Sequence, residues 1–169
     1  MKDTQKEIIE HLELEPHPEG GWYKRTYQSQ EEVGAPFIER EKNEKRFLST
    51  AIFYFLTGLE RSHFHRIKSD ETWHFYLGST LTLIEIIPGE NQVKKTKLGL
   101  TFSEGETPQY TVKKGHWFAA HLEDPDGHCL MGCTVSPGFD FKDFEMANPN
   151  DQLKKFEYDS LIKSLIKTL

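Results

Sequence analysis

Long apolar runs are missing from this chain of 169 residues, and so is any excess of positive charge. No apolar stretch approaches the roughly 18 residues of a spanning helix, so no membrane partner is expected. The opening stretch, MKDTQKEIIEHLELE, lacks the apolar segment of a secretion signal, and the expected location is the cytoplasm. The formal net charge is −6 and the basic residues are mostly isolated or interleaved with acids. Phosphate binding needs a basic face, so no nucleic-acid partner is expected. Cysteine is scarce as well, with only Cys129 and Cys133 in CLMGC. On one extended strand, four steps of about 3.3 Å put them roughly 13 Å apart. A disulfide tolerates about 7 Å, so two reduced, structural thiols are expected. A nucleotide-binding loop, a nucleophile elbow and a redox Cys-x-x-Cys are all absent, which removes those enzyme classes. With no repeat, low-complexity tract or linker, residues 1–169 read as a single domain with a core from about 12 to 147.

Aromatic residues are abundant: twelve Phe, six Tyr and three Trp. They fall in short β-rich segments that recur about every ten residues with turn signals between them. RFLSTAIFYFLTG, RSHFHRI, ETWHFYLG, STLTLIEIIPGENQ, VKKTKLGL, PQYTVKKGHWFAAHLE and GHCLMGCTVSPG carry this pattern. That spacing predicts an all-β double-sheet sandwich or jelly roll. Ile8, Ile9 and Leu12 predict a short helix from Asp3 to about Leu14, ended before Pro16. Trp22, Tyr23 and Tyr27 fit a strand after the Gly20–Gly21 turn. The charged stretch 30–46 reads as a surface loop. Asn148, Pro149 and Asp151, followed by Leu153, Leu161, Ile162, Leu165, Ile166 and Leu169, predict an amphipathic C-terminal helix over about 149–168 that packs on the barrel.

Chemistry concentrates in SHFHRIKSDETWHF, residues 62–75. On a strand, residues two apart share a face. His63 and His65 therefore point together, and after the turn Glu71, Trp73 and Phe75 share a face while Thr72, His74 and Tyr76 take the other. If a hairpin brings Glu71 beside the histidines, two imidazoles and a carboxylate converge. Such a facial set suits Fe(II), with Zn, Mn or Ni as alternatives. A metal-free acid/base pair, or simply polar groups on a strand, fits the same residues.

GLERSHFHRIKSDETWHFYLG, from Gly58 to Gly78, resembles the first cupin motif of Gly, His-x-His, Glu and Gly, although the five residues between His65 and Glu71 make its turn slightly long. HPEGGWYKRTY, STAIFYFLTG, SHFHRIKSDETWHFYLG and GCTVSPGFDFKDFEMA together resemble cupin family 5, the domain of unknown function 985, from about Leu12 to Ala147. The resemblance implies a cupin-type double-stranded β-helix, a homodimer, and a pocket inside the barrel. The second cupin motif departs from the metal-binding pattern. In VKKGHWFAAH, Lys113 stands where Pro would be and Phe118 where the fourth ligand would be. The expected site is a small-molecule pocket with His65 and Glu71 as catalytic residues. Tyr54, His63, Trp73, Phe75, Trp117 and Phe118 line it, and His63, His65 and Glu71 are candidate ligands of one divalent Fe, Mn, Ni or Zn ion. A metal-free pocket like that of the cupin sugar epimerases is the alternative, with a buried His beside a carboxylate as general base. The implied chemistry is isomerase, epimerase or lyase action on a small polar or sugar-like substrate. A non-catalytic ligand-binding protein and a metal-dependent oxygenase are the competing readings. Arg25 and Arg61 are candidates to receive a carboxylate or phosphate, against an ordinary role as surface ion pairs. HPEGGW reads as a turn feeding a strand, with a binding role for His17 or Glu19 as the lesser alternative.

Overall fold

The computed structural model describes residues 2–34, 44–90, 92–148, 153, 156 and 159–167. Helix α1 (Asp3–His11) is followed by β1 (Glu15–Pro16), β2 (Trp22–Gln28), β3 (Glu32–Gly34), β4 (Lys45–Phe47), β5 (Thr50–Thr57), β6 (Arg61–Arg66) and β7 (Asp70–Gly78). Then come β8 (Leu81–Ile86), β9 (Val93–Leu98), β10 (Gln109–Val112), β11 (Trp117–Leu122), β12 (His128–Ser136), β13 (Glu145–Met146) and helix α2 (Ser160–Ser164). The large strands form two antiparallel sheets, in the orders β1-β2-β5-β12-β7-β10 and β13-β6-β11-β8-β9. Their facing sides enclose one core in which Tyr54, Leu56, Trp73, Leu83, Phe118 and Met131 are almost wholly buried. This is the expected jelly roll, with α-helices only near the two ends among the described residues.

Outside the barrel, two smaller clusters fix the ends of the chain. Ile8 and Ile9 of α1, with Leu12 at its C-terminal end, cover Phe55 and Leu130 on the outer face of the six-stranded sheet. Leu153, Ile162 and Leu165 of the tail cover Phe64, Ile84 and Trp117 on the outer face of the other. The tail's apolar stripe thus packs on the barrel, as its periodicity predicts. The predicted helix start at Pro149 and Asp151, and Leu169, lie outside the described residues. Among those described, the helix begins only after Asp159, which is extended and caps it by accepting from the Leu161 and Ile162 amides.

Two further expectations are corrected. Segment 30–46 is not simply a loop, because β3 and β4 pair with Val33 opposite Arg46. The buried Arg46 then makes a bidentate bond to Asp143, at 2.7 and 3.0 Å, tying β4 to the 3-10 turn at Phe141–Asp143. Nor do β6 and β7 form a hairpin: they belong to different sheets. Residues 67–69 carry the chain around a corner of the barrel, so His65 and Glu71 look at each other across its interior.

Candidate active site in the barrel

The site begins with a turn rather than a strand. The His17 amide donates to the Gly21 carbonyl and the Gly20 amide to the His17 carbonyl, at 2.9 and 3.0 Å. Gly20 and Gly21 have φ values of 108° and 69°. A Cβ on Gly20 would lie 2.1 Å from the Arg61 carbonyl oxygen, so backbone meets backbone here with no room for a side chain. This close approach inserts His17 and Glu19 into the barrel end. The Glu19 carbonyl accepts from the His63 amide at 2.8 Å and from His63 Nδ1 at 2.7 Å.

Glu19 is buried and its oxygens are well supplied with donors. Ser62 Oγ donates to Oε1 at 2.9 Å, while His65 Nε2 and His17 Nδ1 lie 3.1 and 3.2 Å from Oε2. Burial alone would raise its pKa. The two imidazoles and the hydrogen bonds from His17 and Ser62 prevail and hold the carboxyl at about 2. Burial pushes the His65 imidazole down, and the Glu19 charge opposes that. Hydrogen bonding decides where the protons rest. His65 Nδ1 lies 2.8 Å from the His63 carbonyl, which can only accept, so Nδ1 bears hydrogen. Nε2 faces a carboxylate oxygen, and one proton must occupy that gap. Glu19 and His65 therefore titrate as a unit.

Glu71, on the opposite wall, has the contrary environment. It is buried, receives no cation, and feels the Glu19 charge, although a bond with the Cys133 thiol opposes the rise. Its pKa is pushed up to about 8. Two carboxyl groups in one cavity are thus held in opposite protonation states near neutral pH, the pattern expected of groups with different proton-transfer roles. Tyr54 lines the same cavity and donates to the Gly20 carbonyl at 2.8 Å. Burial first, and then Glu19, keep its hydroxyl protonated. His17, Glu19, Tyr54, His65 and Glu71 line one cavity, whose apolar wall includes Ile52, Val135, Phe139 and Phe144. The cavity measures about 30 Å³, far below the roughly 300–1,000 Å³ of pockets for drug-sized ligands. A sugar ring does not fit it in this conformation.

The structure sorts the sequence-predicted residues. His65, Glu71 and Tyr54 line the cavity. Phe118 is buried with its ring 4.1 Å from that of His65, so an aromatic edge stands where a fourth ligand was considered. Trp73 and Phe75 face inward but are core, Trp73 packing edge-on to Tyr54 and Phe118. Trp117 is corrected outright: it lies on the outer face, under the tail and beneath Arg66. His63 is engaged by the Glu19 carbonyl and does not line the cavity. His74 faces outward and bonds Thr134 at 3.0 Å. His116, the polar residue nearest the second motif, bonds Glu85 at 2.5 Å on the far side of Phe118. The residues that sequence reasoning underrated are His17 and Glu19, whose signal was the Gly-Gly that follows them.

A metal centre on His63, His65 and Glu71 does not fit this arrangement. The three do not converge, both nitrogens of His65 already face oxygens, and Glu71 is protonated near neutrality. Among the described residues, no group of three or more His, Cys, Asp or Glu is placed to hold a metal ion.

An antiparallel jelly roll with a polar cavity between its sheets defines a cupin-type barrel. The chain belongs to the cupin superfamily family DUF985, whose model matches residues 6–147. It is 31% identical over 158 residues to the uncharacterized protein YML079W of Saccharomyces cerevisiae, covering 88% of this chain and 78% of the yeast one. Two solved structures share both sequence and shape. Protein SO0799 from Shewanella oneidensis is 35% identical with a TM-score of 0.85, over 100% of both chains. A hypothetical protein from Leishmania major is 30% identical with a TM-score of 0.84, over 96% of this chain and 98% of that one. Neither name carries an activity, so the reading of function rests on the site.

Proposed function

We propose that the barrel cavity is a proton-transfer site of the isomerase, epimerase or lyase kind, acting on a small polar molecule. The observation that carries this is the opposed protonation of Glu19 and Glu71 around one cavity. A carboxylate with a pKa of about 8 is a strong base once ionised, and it accepts and returns protons close to physiological pH. Glu71 takes a proton from a carbon next to a carbonyl, and the electron pair of the C–H bond moves to the carbonyl oxygen. The His65–Glu19 pair keeps its own proton between Nε2 and Oε2, and the imidazole ring stabilises by its charge the negative charge that develops on a substrate oxygen beside it. Return of the proton to the same or another carbon gives epimerisation or isomerisation, and loss of a leaving group gives elimination. His17 and Ser62 act as positioning residues, because they hold Glu19 ionised.

The test is solvent deuterium exchange into a panel of small carbonyl compounds, followed by proton NMR. The folded protein should catalyse exchange, with a rate that rises about tenfold per pH unit below pH 8 and levels above it. Glu71→Gln should lose the activity about a hundredfold or more. Binding without exchange in every compound would refute the enzyme reading and leave a ligand-binding barrel.

A further inference from the structure

The cavity mouth carries a cation that the proton-transfer chemistry does not use. Arg25, on β2, lines the same cavity as His65 and Glu71. It also lines an adjoining surface groove with Glu32, Lys45, Arg46 and Phe139. The charged neighbours there are already committed. Glu32 lies 3.6 Å from Lys45, Asp140 accepts from the Lys142 amide at 2.9 Å, and nearby Asp143 is taken by Arg46. The only hydrogen bond that the Arg25 side chain makes among the described residues is from Nη1 to the neutral Oε1 of Gln28, at 2.8 Å. Inside the cavity, the Glu19 carboxylate is already met by Ser62, His17 and His65. Arg25 is thus a guanidinium whose side chain bonds only an amide, at the mouth of a cavity whose Glu19 carboxylate is satisfied from within.

We infer that Arg25 is the anion receptor of this cavity and that the ligand is a small organic carboxylate, held by the guanidinium with its carbon skeleton reaching in toward His65 and Glu71. The guanidinium fork matches a carboxylate through two parallel hydrogen bonds, a fit that a lysine ammonium lacks. Size keeps the acid short, with only its carbon end inside the cavity and the carboxylate at the mouth. A volume of about 30 Å³ holds about two waters and no sugar ring or nucleotide. The apolar wall of Ile52, Val135 and Phe139 suits the hydrocarbon part. The inference rests on the proton-transfer reading only for what happens beyond the carboxylate. Binding itself needs no chemistry.

Isothermal titration of the full chain with acetate, pyruvate, neutral acetamide and inorganic phosphate tests it. At least one carboxylate should bind, with acetamide and phosphate about tenfold weaker or worse. Arg25→Gln should weaken the carboxylate about tenfold or more, and Arg25→Lys should recover part of the loss. Arg25 is exposed, so neither variant should unfold the barrel, and circular dichroism checks this. Four outcomes overturn the inference: acetamide binding as well as acetate, phosphate binding more tightly than either carboxylate, Arg25→Gln within twofold of the parent, or no carboxylate binding to folded protein at tens of millimolar. Deuterium exchange separates the two readings. Arg25-dependent carboxylate binding without exchange refutes proton transfer and leaves the receptor standing. Exchange in a neutral ketone, with carboxylate binding within twofold of the parent in Arg25→Gln, does the reverse.

Discussion

Replacing Glu71 with Gln should make the protein more stable at alkaline pH, by an amount that the structure sets. The amide has nearly the shape of the protonated acid and cannot ionise. In the unfolded chain the carboxyl has its ordinary value near 4.5, whereas burial and the Glu19 charge push the folded value to about 8. Below pH 4.5 both states hold the proton, and the parent keeps the full contribution of a neutral, buried acid. Between 4.5 and 8 the unfolded chain releases its proton while the folded protein retains it. The parent therefore loses about 1.4 kcal/mol of stability for each pH unit. Over the three and a half units between the two values the loss is about 5 kcal/mol, and above pH 8 it stops growing. Glu19 runs the other way. Its folded value of about 2 gives stability that is lost only as pH falls from 4.5 toward 2, and both proteins share that arm.

Urea unfolding of parent and Glu71→Gln at several pH values from about 5 to 9, followed by tryptophan fluorescence, measures the difference directly. Refitting the amide against Cys133 adds an offset that does not depend on pH, so the slope of the difference is the diagnostic quantity. It should be about 1.4 kcal/mol per unit up to pH 8, always favouring the variant as pH rises. Parallel stability profiles would mean that Glu71 is ionised in the folded protein, and the assignment of opposed carboxyl states would fail with it.

Three further outcomes are expected from the same geometry. Gly20→Ala should cost about 3 kcal/mol, because it combines a φ of 108° with a Cβ 2.1 Å from a carbonyl oxygen, and thermal unfolding would show it. Unchanged stability would mean that the turn has room to shift. Phe118→His should leave Mn(II), Fe(II) and Zn(II) affinity unchanged in titration, because His63 does not line the cavity and both His65 nitrogens are occupied. A tightened affinity with the fold intact would show that the imidazoles can turn to a metal. Sedimentation at micromolar concentration should show a two-fold dimer, for which the exposed Tyr27, Tyr76 and Leu77 of the six-stranded sheet supply apolar surface. A stable monomer would refute it.

Strand parity carried much of the fold and part of the site. Glu71 and Trp73 face inward and His74 outward because side chains alternate, and that alternation is written in the order of residues. The same rule contained the correction for Trp117: with Phe118 inside, its neighbour must face out. Grouping the two as one aromatic wall overrode the parity. The partner of His65 was harder to see. Periodicity says which way a side chain points, but not which segment meets it. His65 and Glu71 sit near each other in sequence on strands of different sheets, and the corner at 67–69 has the length of an ordinary hairpin turn.

The carboxylate that bonds His65 lies 46 positions away, in a turn with no periodic pattern. Its trace in the sequence is steric. Two consecutive glycines after Glu19 make sense only where backbone must take a left-handed course against other backbone, and here that backbone is β6 at Arg61 and β5 at Phe55. A strand residue at the Glu19 position would be fixed by sheet register, one side chain per rung. A turn inserted end-on can instead present a carbonyl to His63 and a carboxylate to His65 from the same residue. That double contact explains why the His-x-His pair does not act as a pair. One histidine is used to anchor the turn, and the other is left in the cavity with the proton that the turn's carboxylate holds in place.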